Sequence, residues 1–175
     1  QFDSSGRAPN SPPALKDVRV RRAIWHAIDR EAIIKNVLGG NADLANIPMS
    51  PKQFAADLSI KGHEYNPEKA KALLKEAGYE KGFPLNVWTY TAITKMANQA
   101  AIGYLEKVGI KGVIRDYAGR VGEMEKLCIA SKTDGALNMT WGSYNIFDPD
   151  AIMTYFFLSP EAPYDYTKDA ELIGW

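Results

Sequence analysis

The 175-residue chain has one cysteine, two histidines and no surplus of charge of either sign. Each shortage removes a class of function. A lone Cys128 cannot close an internal disulfide, and within an apolar helical pattern it reads as a small core residue rather than a nucleophile. His26 and His63 sit in separate stretches, with no thiol or carboxylate at metal-ligand spacing. No zinc site is expected, and His26 is assigned to the polar face of its helix. Lys plus Arg and Asp plus Glu balance at 21 each, which leaves no electrostatic footprint for nucleic acid and no basic block for a membrane surface. The G-x-S-x-G elbow, the Walker phosphate loop and the G-x-G-x-x-G fingerprint are all missing, so neither acyl transfer nor phosphate binding is indicated and no cofactor is implied. A signal-peptide pattern is also missing, and Ala170 to Ile173 begins to look helical just before Trp175, so the chain reads as a piece of a longer polypeptide.

What is present suits one compact domain, with 46% apolar and 24% charged side chains. Residues 1–14 carry Gly6, Pro9, Pro12 and Pro13 among serines, a linker composition with little to bury. From Asp17, a helix N-cap, Val20, Ala23, Ile24, Ala27 and Ile28 recur at helical spacing, and Asp29 caps a second helix that stops at Gly39-Gly40. Asn66-Pro67 opens a third helix, carrying Ala70, Leu73 and Leu74, which Gly78 ends. The rhythm then changes. Leu85 to Thr91 alternates at strand period, Thr94 to Val108 is helical, Ile110 to Tyr117 is a strand, Val121 to Ala130 a helix, and Ala136 to Trp141 a strand. Strands alternating with helices over short connections predict an α/β domain with a largely parallel sheet flanked by helices.

In such a sheet, ligands sit beyond the carboxyl ends of the strands. The first strand delivers Trp88, Tyr90 and Thr91 toward that edge, and the third runs into Trp141-Gly142-Ser143-Tyr144-Asn145. Flat apolar faces beside neutral hydrogen-bonding groups are the mixture that small-molecule sites use. The candidate ligand-binding residues are therefore Trp88, Tyr90, Thr91, Trp141, Ser143, Tyr144 and Asn145; the alternative is that Trp141 and Tyr144 pack beneath the next helix. Asp148-Pro149-Asp150 fits a helix cap better than a cation site.

Several stretches, in order, resemble the extracellular solute-binding proteins of family 5, the receptors of bacterial ABC importers for peptides, nickel and related solutes. They are Leu15 to Ile24 (LKDVRVRRAI), Ala27 to Ile33 (AIDREAI), Tyr65 to Tyr79 (YNPEKAKALLKEAGY), Gly82-Phe83, Leu105 to Ile110 (LEKVGI) and Trp141 to Asp150 (WGSYNIFDPD). The resemblance implies one lobe of a two-lobed periplasmic-binding-protein-like fold: residues 15–158 as lobe II, with 1–14 and 159–175 as segments that cross a hinge toward the missing lobe I. It further implies a small-molecule solute, permease subunits as partners, and a periplasmic or extracellular location associated with the membrane through the transporter.

Peptide-binding members of the family commonly carry an aspartate in the loop after the tryptophan, which pairs with the ligand's amino group. The matching position here is Tyr144, beside Asn145. An arginine that some peptide receptors carry after the strand matching Leu85 to Thr91 has no counterpart either. Because an unpaired buried ammonium is costly, this loop predicts a neutral or delocalised solute with a flat face. Two other functions compete: a ligand-sensing module of a transcriptional regulator, and a fragment of a doubly wound enzyme whose catalytic residues lie elsewhere.

Overall fold

The computed structural model describes residues 10–47, 56–130 and 132–137. A short 3₁₀ turn at Pro13–Lys16 leads into α1 (Val18–Ala27) and α2 (Arg30–Asn36), followed by an irregular stretch. Beyond it come α3 (Pro67–Glu76), β1 (Pro84–Thr89), α4 (Ala92–Glu106), β2 (Lys111–Asp116), α5 (Val121–Ile129) and β3 (Gly135–Leu137).

Local chemistry accounts for the helix starts. The Asp17 carboxylate accepts from the Arg19 amide, that of Asp29 from Ala32, and the Asn66 side chain from Lys69. Each cap satisfies an N–H that the first turn would otherwise leave without a partner, which contributes about 1 kcal/mol.

The three strands lie in the order β2-β1-β3, both pairings parallel, with Val87 opposite Ile114 and Ala136. The expected α/β architecture is therefore found. Central position explains why β1 is buried on both faces. Leu85 and Val87 point to one side, into a core shared with Val20, Ala23, Ile24, Ala70, Leu74, Leu105, Val108 and Ile110. Trp88 points to the other, against Met124 and Cys128 of α5.

The structure corrects several expectations. β1 ends at Thr89 instead of Thr91, because Thr91 becomes the N-cap of α4 and the helix begins at Ala92 rather than Thr94. Along α4, Leu105 is fully buried, while the buried side chains at the helix start are polar, Thr94 and Asn98. Within the stretch read as linker, Ser11 and Ala14 are buried. His26 is not on a polar face: it is 2% exposed, and its Nδ1 lies 2.8 Å from the Glu64 carbonyl. A backbone acceptor from a distant segment makes burial of the imidazole affordable. The third strand is described over Gly135–Leu137, and the rest of its expected span lies outside the described residues.

Candidate functional site

The carboxyl end of β1 is the best-described part of the expected ligand edge. Thr89, Thr91 and Thr94 form a closed set of hydroxyls. Thr94 N–H donates to Thr91 Oγ1 at 3.1 Å and Thr91 N–H donates back to Thr94 Oγ1 at 3.1 Å, a reciprocal capping box. The buried Thr89 and Thr94 hydroxyls lie 2.6 Å apart. Asn98 reaches up from the next turn, donating to the Trp88 carbonyl at 3.3 Å. These bonds fix the angle at which α4 leaves the strand, and with it the place of Tyr90 and Thr91. The hydroxyl of Thr91 is already engaged by the cap, so its contribution to a ligand is chiefly the rigidity of the turn.

Beyond the cap, Ile93 and Met96 stand 65% and 49% exposed on the first turns of α4. Lys95, between them in sequence, reaches Asp116 at the end of β2 with an N–O distance of 2.8 Å. The ammonium, together with the Ala118 N–H, holds the Asp116 carboxyl below the ordinary carboxylate range. The described edge therefore pairs its charges internally and offers apolar surface beside them.

Trp88 does not reach that surface. It is 3% exposed, its ring lies 4.8 Å from that of Tyr117, and its indole N–H donates to Asp134 Oδ1 at 2.7 Å. Asp134 also accepts from the Asn86 amide at 2.8 Å. Trp88 thus belongs to the packing beneath the edge, because α5 covers the face toward which it points. Half-buried Tyr90 packs against the same cluster. Burial, with the Asp134 charge nearby, raises the Tyr117 phenol above its usual value. Burial also pushes the Cys128 thiol up to about 11, as befits a core residue and not a nucleophile. Trp141, Ser143, Tyr144 and Asn145 lie outside the described residues.

Sequence reasoning missed Asp134, Lys95, Asp116 and Asn98. Only Asn98 left a readable sign, an amide four residues after Thr94 on the side of α4 that meets the strand.

Residues 6–164 match the family described as bacterial extracellular solute-binding proteins, family 5, middle region. The chain belongs to this family. Among its family 5 relatives, the dipeptide-binding protein of Escherichia coli K12 is 45% identical over 74 residues, 42% of this chain and 14% of that protein. The di/tripeptide-binding protein 2 of Pseudomonas aeruginosa UCBPP-PA14 is 35% identical over 144 residues, 79% of this chain and 26% of its own length. Among solved structures, HbpA2 from Haemophilus parasuis superposes with a TM-score of 0.78 at 28% identity, covering 90% of this chain and 32% of that one. The periplasmic binding protein DppA from Helicobacter pylori, in complex with the peptide STSA, gives a TM-score of 0.77 at 27% identity, covering 89% of this chain and 32% of its own. The chain thus spans about a third or less of the length of these relatives.

Proposed function

We propose that residues 15–158 are lobe II of the substrate-binding component of a bacterial ABC importer. This component captures a small solute such as a peptide between two lobes and hands it to the permease subunits, on the periplasmic or extracellular side of the membrane. The observation that carries the reading is the 35% identity to a di/tripeptide-binding protein over 79% of this chain. Residues 1–14 and 159–175 are read as the hinge-crossing segments. Tyr90 and Thr91, with Trp141, Ser143, Tyr144 and Asn145, form this lobe's share of the ligand surface, and Trp88 supports it from below. The role is binding without turnover, consistent with relatives named for the ligands they bind. Neither the regulator nor the enzyme reading gains support from them.

Enclosure between two lobes excludes water and strengthens each polar contact with the solute, whereas one lobe leaves half the solute wet. Calorimetry with a mixed dipeptide library and with oligosaccharides, on the full-length protein and on this chain alone, tests the reading. The expected result is binding by the full-length protein and affinity weaker by roughly a hundredfold or more for the isolated chain, since losing several kcal/mol of contacts corresponds to that factor. Equal affinities would argue against a two-lobed receptor. Oligosaccharide binding without peptide binding would move the solute class to the neutral ligand that Tyr144 and Asn145 favour.

A further inference from the structure

At the far end of α1 from its Asp17 cap, two histidines face each other. The His26 and His63 ring centroids are 4.9 Å apart with planes tilted by 35°. His63 also meets the Trp25 ring edge-on at 5.4 Å, and the Arg30 guanidinium lies 4.8 Å from the centre of the same indole. Two backbone contacts tie the segment carrying His63 to α1: His26 Nδ1 with the Glu64 carbonyl at 2.8 Å, and Asn66 N–H donating to the His26 carbonyl at 2.8 Å. Arg30 secures the other side, with both terminal nitrogens 3.3 Å from Asn46 Oδ1.

We propose that His63, stacked on His26, is an acid-sensitive latch, which holds residues 61–66 against the end of α1 while its ring is neutral and releases them when it takes up a proton. The surroundings of the pair decide the direction. The charged neighbours of His63 are Arg22 of α1, Arg30 of α2 and Lys69 of α3, all cationic. The adjacent carboxylate, Glu64, is turned toward the Asn66 amide at 3.4 Å. The Trp25 ring, which could otherwise welcome an imidazolium, already has the Arg30 guanidinium against it. A proton on His63 therefore faces cations from three helices.

Desolvation beside the Trp25 and His26 rings first, then His26 itself and these cations, place the proton affinity of the solvent-exposed His63 below its usual 6.5. The opened segment binds protons before the closed one, so the latch is at full strength above that value and weakens as pH falls through the lower, closed-state value. A further feature favours opening. The Trp25 indole N–H is buried with no hydrogen-bond partner among the described residues, and opening lets it bond to water.

Amide exchange in this chain, corrected for intrinsic rates, would be followed at Asn66 and its neighbours from about pH 7.5 to about pH 5. Protection is expected to fall severalfold on acidification, while amides of β1 stay unchanged. His63→Phe keeps an aromatic ring that cannot charge, and its protection should remain flat across the range. Flat protection in the parent chain, or the same acid loss in His63→Phe, would overturn the proposal. Should that variant not fold, the imidazole resonances of the parent chain decide: His63 titrating below 6.5 together with the exchange change supports the latch, and titration at or above 6.5 removes it.

Discussion

On one face of β1, Leu85 and Val87 meet Leu74, Leu105, Val108 and Ile110, a core made of aliphatic side chains. On the other, Trp88 meets Tyr117, Met124 and Cys128 and fixes its indole to Asp134. The first face has no direction to its attraction, so many partners share the stabilisation and each contributes by area. The second carries a directional bond whose acceptor comes from a residue 46 positions away, so its geometry depends on one carboxylate. That contrast matters because the second face underlies Tyr90, an aromatic at the proposed ligand edge.

Leu105→Ala should have the largest effect. This side chain is 2% exposed in the aliphatic core, and the lost transfer energy plus the cavity should cost about 2–5 kcal/mol in urea unfolding. A smaller loss would mean that the aliphatic face collapses around the gap and is less closely packed than its burial indicates. Asp134→Ala leaves the Trp88 indole and the Asn86 amide without their shared acceptor, for an expected cost of about 1–3 kcal/mol and a changed near-UV spectrum. Retention of both stability and spectrum would erase the distinction between the faces.

Thr94→Val tests the join between strand and helix. It removes one side of the capping box and the partner of Thr89, so the helix start should lose about 1–2 kcal/mol and exchange faster in its first turn. Smallest of all is the response at Asp116. Its carboxyl is held low chiefly by the Lys95 hydrogen bond, so the stabilisation is present above 3.8, the ordinary value, and is lost as pH falls through the lower folded one. Lys95→Met should leave melting at neutral pH nearly unchanged and move the carboxyl titration upward; an unmoved titration would mean that Lys95 does not hold it.

What could be read from the sequence follows from how far each cause lies along the chain. The caps at Asp17, Asp29 and Asn66 act within three residues and were legible. So was the parallel pairing, because strand period and short helical connections leave few topologies. The side on which His26 lies was not, since the carbonyl that satisfies it is 38 residues on. Alternation in β1 separates two faces without saying that both are covered, which is why Trp88 was expected at the ligand edge. Tyr90 and Thr91 were read at the end of the strand, but β1 stops at Thr89 and Thr91 is the cap of α4. Asp134 left no sign, because nothing local marks a carboxylate as the partner of a distant indole.

The two turns that introduce β1 and β2 meet at Gly82 and Gly109, both with left-handed backbone, φ 70° and 92°. A methyl group on Gly82 would overlap the Gly109 carbonyl, a backbone atom with nowhere to swing. Directly above this contact, Lys111 N–H donates to the Phe83 carbonyl, the bond that starts the β1–β2 ladder. The glycine pair therefore works as a mechanical stop that sets where the two strands begin relative to each other. In a saturation mutagenesis library selected for folding, position 82 should survive as glycine alone, while exposed Gly103, whose added methyl meets nothing, accepts alanine freely.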